Sequence, residues 1–392
     1  MNKTHKPHAE IQTQEYLWFA QALRGLGALS VVYWHYCVAF LLENRLISEV
    51  AQIEPLQQVR LLPHMFWTET LKNMAFESGR VGVAIFFLIS GFVVSISLED
   101  RNVPRFIVRR LFRVYPTYAV GLAITCLFIF INATYYGHPF PYSLHDYLVN
   151  LSLFRDMSYV PSIDYINWSL EIEIKFYLMC ALIAGWAGLD NYKAILVVAL
   201  ILMGINCQAI ALPLKYIDAH TWNEHVRIIL GYNTIQILFM LNGVALYNLY
   251  RKKWSFKKFA WMSAVLTALF LVAGYNRPFP WSFRILVLNY MPALAIVYAS
   301  YYWREYFPQS RIVDFFAKIS YPLYMVHCIN GFIIMGFLYK FQNNHYLIML
   351  ETLGIVVFIA WCIHRFIETP SYLFGKGITK QAWFISFFSR QK

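Results

Sequence analysis

Residues 21–35 read Gln-Ala-Leu-Arg-Gly-Leu-Gly-Ala-Leu-Ser-Val-Val-Tyr-Trp-His, an apolar run that carries one arginine, Arg24, and one histidine, His35. Imidazole titrates near neutrality, so a histidine in such a setting suits a proton-transfer role. At about 100° per residue, eleven helical residues return to within roughly 20° of the starting direction. Arg24 and His35 therefore share one helix face, about 16 Å apart along the axis. Ionisable residues inside a bilayer are costly and usually face a wet cavity or the protein interior. The plainer alternative is an arginine that snorkels to the headgroups and a histidine bonded to a neighbouring helix.

Three further stretches carry chemistry-bearing residues. In 104–118, Pro104 suits a first helical turn, and Arg105, Arg109 and Arg113 follow at i, i+4 and i+8 with Arg110 beside them. Like charges stacked this way call for an anion opposite, either lipid phosphates or the phosphates of a nucleotide-like donor. In 167–178, Glu171 is expected to pair with Lys175 at i+4. Glu173 points about 200° away from Glu171, shares its face with Ser169 and Tyr177, and has no local cation. It is a candidate partner for His35 or a proton acceptor itself. In 319–331, Ser320, Tyr324, His327 and Gly331 form a polar and small stripe at helical spacing. A structurally satisfied histidine is the alternative there. Gly82 and Gly91, in the apolar run 81–92, suit close helix packing.

The elements that must hold these residues follow from composition. Hydrophobic residues make up 59% of the 392, only 14% are charged, 18% are aromatic, and the mean hydropathy is +0.47. Such a chain is an all-α polytopic membrane protein, and its aromatics suit interfacial belts. Spanning stretches fall near 17–42, 80–98, 114–133, 167–187, 193–212, 229–250, 259–274, 284–302, 315–339 and 346–366, about ten helices. The net charge of +12 sits in short clusters between these runs, which reads as topology signal and excludes nucleic acid as the partner. The richer set of loops includes Arg101 to Arg113, Arg251 to Lys258, Arg304 with Arg311, and the tail from Arg365. The positive-inside rule then places that set and both termini in the cytoplasm. The expected organisation is a polar N-terminal segment 1–16, a transmembrane domain 17–366 and a basic tail 367–392. No cleavable signal peptide is visible in the opening residues. Loops 43–79 and 134–166 fall outside, and the second is rich in residues that could stack on or bond to sugars (Tyr135, Tyr136, His138, Tyr142, His145, Asp146, Tyr159, Asp164). The six cysteines lie in or beside apolar stretches with no CxxC spacing, so neither disulfides nor a metal site is expected.

Taken together, five stretches resemble the acyltransferase-3 family of integral-membrane acyltransferases. They are Arg24 with His35 after Leu-Arg-Gly-Leu; Phe86-Phe-Leu-Ile-Ser-Gly-Phe92; Arg109-Arg-Leu-Phe-Arg-Val-Tyr-Pro116; Trp168-Ser-Leu-Glu-Ile-Glu173; and Ser320-Tyr-Pro-Leu-Tyr-Met-Val-His327. Two departures stand out. Gln21 and Ala22 occupy the place where relatives usually carry an acid, and the carboxylate pair, usually adjacent, is here followed by Ile174 and Lys175. Many relatives also carry an extracellular esterase-like domain, which is not expected here. The resemblance implies transfer of an acyl group, usually acetyl, from cytoplasmic acyl-coenzyme A to a hydroxyl of an envelope glycan or similar acceptor, at the inner (plasma) membrane. It implies acetyl-coenzyme A as acyl donor, and no metal is expected. Arg109, Arg110 and Arg113 would hold the donor phosphates, with Arg24 at the inner mouth. His35 would act as general base or first acyl acceptor, with Glu173 as its orienting group. Trp168, Ser169, Tyr177, Tyr324 and His327 are further candidates. A proton-coupled transporter or flippase is the competing class. The oligomeric state is not readable from the sequence.

Overall fold

The computed structural model describes residues 8–42, 44–51, 53, 76–210, 222–275, 283–307 and 309–381. Most of the loop expected at 43–79, the first seven residues and the tail beyond Gln381 lie outside them. The described chain is helical throughout. In order, the helices are α1 (His8–Tyr33), α2 (Asn44–Ala51), α3 (Ser78–Ser97), α4 (Val103–Tyr135), α5 (Leu144–Leu151), α6 (Asn167–Trp186) and α7 (Tyr192–Ile210). There follow α8 (Trp222–Tyr250), α9 (Phe256–Tyr275), α10 (Phe283–Tyr302), α11 (Arg311–Val326), α12 (Cys328–Leu338), α13 (His345–Ile363) and α14 (Thr369–Ile378). α1 runs on through a π-helical stretch, Trp34–Ala39.

Over its described residues each of the ten apolar stretches is helical, 315–339 being split between α11 and α12. Six helices among the described residues are long and apolar enough on their own to cross a membrane, and α11 with α12 is so only as a pair, bent by 75° at its break. α1, α6 and α7 fall outside that group although their stretches are of spanning length. The first two carry Arg24 and the Glu171, Glu173 and Lys175 cluster. Charges lower hydropathy wherever a helix is built around a site.

The arginines lie nearer the membrane segment than the sequence implies. The span expected at 114–133 is the far part of a 33-residue helix that begins at Val103. Asn102 caps it by accepting the Arg105 N–H at 3.0 Å, and Pro104 occupies the first turn. Arg109, Arg110 and Arg113 are therefore rigidly fixed to a spanning helix.

α3 is the central post. It packs against α1, α8 and α10, and 14 of its 20 residues are buried, Gly82 and Gly91 among them. A Cβ added at Gly91 would run into the Met240 carbonyl of α8, and one at Gly243 into the Leu88 carbonyl of α3. The two backbones cross at a distance that only glycine permits.

At the end of the bundle opposite the basic loops, the expected Glu171–Lys175 pair is replaced by two others. Arg155 holds Glu171 through both carboxylate oxygens (2.9 and 3.0 Å), and Lys175 reaches Asp156 (2.5 Å). A guanidinium fork arriving from another segment outcompetes a single ammonium one turn away, because it satisfies both oxygens of a fully buried carboxylate. In the same region Asp146 is the capping-box acid of α5. Asp164 is buried and accepts the N–H groups of Ile166 (3.3 Å) and Asn167 (3.1 Å). All three acids of this loop, Asp146, Asp156 and Asp164, thus have structural partners.

Candidate functional site

Two cavities among the described residues hold most of the candidate side chains. The first has a volume of about 90 Å³ and is lined by Arg24 of α1, Arg110 and Arg113 of α4, Ser90 of α3, Glu173 and Tyr177 of α6, and Tyr321 and Tyr324 of α11, among others. Three guanidiniums face one carboxylate. Glu173 is already engaged by Ser90 Oγ (2.5 Å) and by the Tyr177 hydroxyl. Arg110 donates to Ser97 Oγ at 3.0 Å and stacks over the Tyr177 ring at 4.9 Å. Arg113 lies over Tyr372 at 6.0 Å. Among the described residues no side chain accepts a hydrogen bond from Arg24. A half-buried group of cations with so little local countercharge suits an anion chemically.

The second cavity, about 380 Å³, is lined by Trp34, His35, Glu77, Arg80, Tyr165, Trp168, Tyr290, Tyr324 and Phe332, with Val31, Val83 and other apolar residues. Its size is that of a small-molecule pocket, and its lining is aromatic with a few convergent polar groups. Glu77 and Arg80, one turn apart at the start of α3, form an ion pair, and the Glu77 N–H donates to Asn289 Oδ1 at 2.7 Å. Tyr165, at the lip, has a left-handed backbone (φ +64°). Ser162 Oγ holds it there by accepting its N–H at 2.9 Å. A non-glycine residue in that conformation carries strain, of the kind that accumulates at working sites.

His35 and His327 meet across this region. His35 Nδ1 and His327 Nε2 are 2.8 Å apart. His327 is fully buried at the break between α11 and α12. Its Nδ1 faces two carbonyl oxygens, of Tyr324 (2.9 Å) and Leu323 (3.2 Å). Carbonyls only accept, so His327 Nδ1 carries a hydrogen. In the neutral pair His327 Nε2 then accepts from His35 Nδ1–H, which leaves the lone pair of His35 on Nε2. The Tyr36 hydroxyl caps the His327 carbonyl at 2.7 Å. Gly331 makes room for it, since a Cβ there would strike the Tyr36 ring and hydroxyl.

The cavities share Val83 and Tyr324 as lining. The Tyr324 hydroxyl is bonded to Ser169 Oγ at 2.7 Å, and its ring meets Phe86 edge-on at 5.7 Å.

The sequence candidates divide between these places. Arg24, Arg110, Arg113, Glu173, Ser169 and Tyr177 line the arginine cavity; His35 and Trp168 line the other; Tyr324 lines both; His327 backs His35. Two expectations are corrected. Glu173 does not orient His35; its bonds go to Ser90 and Tyr177, and the orienting contact of His35 is His327. Arg109 does not line the cavity with Arg110 and Arg113; it lies one turn nearer the helix start than Arg113, where its Nε donates to Thr379 Oγ1 at 2.9 Å, at the end of α14. Sequence reasoning missed Glu77, Arg80 and Tyr165. An i,i+3 acid–base pair opening an apolar helix was the available signal for the first two.

A family model described as an acyltransferase domain, of the acyltransferase-3 type, matches residues 17–364. No curated protein and no solved structure matches the chain.

Proposed function

The chain belongs to the acyltransferase-3 family, and from that premise we propose that it moves an acyl group, acetyl by default, from acyl-coenzyme A to a hydroxyl of a cell-envelope glycan or similar acceptor. It is a membrane acyltransferase. The basic end of the bundle faces the cytoplasm by the positive-inside rule, with both termini on that side, in the inner (plasma) membrane.

On this reading the arginine cavity takes the donor. Arg24, Arg110 and Arg113 hold its phosphates, and Glu173 with Tyr177 fixes the wall against which the acyl-bearing arm lies. The cavity admits only part of so large a molecule, so the nucleotide stays at its cytoplasmic mouth. The acceptor enters the second cavity from the opposite side. His35 Nε2 takes the proton of its hydroxyl, the oxygen attacks the thioester carbonyl, and the C–S bond breaks to release coenzyme A as thiolate. The proton on His35 then passes to that thiolate. A positioned general base contributes roughly 100- to 10,000-fold to such a step.

The observation that carries this reading is the pair of cavities meeting at Val83 and Tyr324, one cationic and one lined by the His35 imidazole. It provides for an anionic donor and a hydroxylic acceptor that approach one point from different sides. Purified protein in nanodiscs, given acetyl-coenzyme A labelled in the acetyl group together with envelope extract, is expected to release coenzyme A and label the extract. His35→Ala is expected to abolish both. Absence of donor binding and turnover by the wild type would remove the enzyme reading.

A further inference from the structure

We propose that His327 is the positioning residue of the transfer reaction: it fixes the tautomer of His35 and shares the proton that His35 acquires, using two backbone carbonyls where a carboxylate would ordinarily serve. The inference rests on the reading of His35 as base and adds the device that prepares it.

The helix break at His327 makes this device possible. The Leu323 carbonyl still accepts the His327 N–H at 3.1 Å, and its second lone pair remains for the ring. Here α11 and α12 diverge by 75° at His327. The His327 ring turns back so that its Nδ1 sits 2.9 Å from the Tyr324 oxygen and 3.2 Å from the Leu323 oxygen. Two acceptors at one nitrogen leave a single hydrogen-bonding role for the other nitrogen. Nε2 is an acceptor, and it lies 2.8 Å from His35 Nδ1. His35 must therefore carry its hydrogen on Nδ1, whichever way its solitary tautomer would fall, and Nε2 is free to take a proton. When it does, the new charge spreads along Nδ1–H to His327 and from there to the carbonyl dipoles. The proton comes from the acceptor hydroxyl and leaves with the coenzyme A thiolate, so His327 is unchanged at the end of the cycle.

No carboxylate contacts either ring among the described residues. The titratable groups around the pair are the Tyr36 hydroxyl on the His327 carbonyl, Tyr324 with its ring 5.6 Å from that of His327, and Glu77 with Arg80 on the cavity wall. Glu77 and Arg80 are engaged with each other. The arrangement thus stabilises an imidazolium through neutral dipoles alone, which suits a base that must recover its neutral form at every turnover.

The test uses three substitutions at one position. His327→Gln retains a side-chain carbonyl that can accept from His35 Nδ1–H, and it is expected to keep kcat within about tenfold of wild type. His327→Phe keeps the bulk without an acceptor and is expected to lose about 100-fold or more in kcat with the donor KM unchanged. His327→Glu supplies a carboxylate and is expected to move the acidic limb of the kcat/KM profile upward by a pH unit or more. Nitrogen-15 spectra of histidine-labelled protein give a readout independent of turnover. The His35 signal, assigned by its loss in His35→Ala, is expected to show the Nδ1–H form in wild type and in His327→Gln, and a mixture in His327→Phe. Equal kinetics in all three variants, or a His35 tautomer indifferent to residue 327, would overturn the proposal. A wild type that has the expected tautomer and no thioester turnover would instead overturn the acyltransferase reading.

Discussion

The Tyr324 hydroxyl and Ser169 Oγ, 2.7 Å apart, close the wall between a cavity of guanidiniums and a cavity that holds an imidazole. Tyr324 comes from the segment just before the α11 break and Ser169 from the first turn of α6. A hydrogen bond between two helices thus holds Tyr324 in the wall that the two cavities share.

Opening this wall should uncouple the reaction. Tyr324→Ala joins the cavities and gives water a path to the thioester. Coenzyme A release without acceptor is expected to rise several-fold, while Tyr324→Phe, which keeps the ring and loses about 1 kcal/mol of hydrogen bond, shows a smaller rise. Acceptor-independent release equal to wild type in Tyr324→Ala would argue that the wall is irrelevant to the chemistry.

Donor affinity should follow the cavity lining and not the spacing of the arginines along the chain. Arg24→Ala and Arg113→Ala each remove a cation from the cavity, and donor binding is expected to weaken about 10- to 100-fold, as for loss of a charge-assisted bond. Arg109→Ala, which faces Thr379, is expected to bind donor within about twofold of wild type. Calorimetry at two salt concentrations checks both the ranking and its electrostatic origin.

The Arg155–Glu171 pair is a structural anchor beside the site. Glu171 is fully buried, so Arg155→Ala leaves an unmatched carboxylate and should cost about 3–5 kcal/mol. Replacing both by apolar residues of similar volume should cost much less. Thermal unfolding of the single and double variants in one detergent distinguishes an anchor from a bystander.

Asp164 makes stability depend on pH in a definite direction. Burial pushes its carboxyl up from 3.8 to about 6, against the Ile166 and Asn167 N–H groups that favour the ionised form. A raised acid pKa means that stability is fully present below about pH 4 and is lost as pH rises through about 6. The loss is on the order of 3 kcal/mol at most. Asp164→Asn keeps an oxygen for the same N–H groups and carries no charge. It is expected to unfold at a higher temperature than wild type at pH 7 and to show a flatter profile between pH 4 and 7. An unchanged slope would show that Asp164 does not titrate in that range.

The helical framework was legible because a bilayer imposes a length and a composition on every spanning element. The ten expected stretches are accordingly helical over their described residues. The candidate residues were also legible as types, since Arg24, Glu173 and His327 are expensive where they stand. Their partners were not. Helical spacing paired Glu171 with Lys175 and left His35 to Glu173, but the fold brings in Arg155 from the preceding loop and His327 from 292 positions along the chain. Periodicity describes one helix at a time, and a site between helices is decided by which faces meet. Arg80 illustrates the same limit. Counted as a loop charge it informs topology; placed beside Glu77 it becomes part of a cavity.

His35 is the second residue of the π-helical stretch Trp34–Ala39. Such a stretch is what one surplus residue does to an α-helix, and it is a form often met at working sites. Deleting Trp34 from it would let the helix tighten to its ordinary pitch while the chain before Tyr33 and after Phe40 kept its place. Arg24 would stay where it is, and the imidazole would swing by about 100° away from His327. On the proposed mechanism such a protein is expected to bind its donor and transfer nothing. One codon would then separate a catalyst from a receptor built on the same frame.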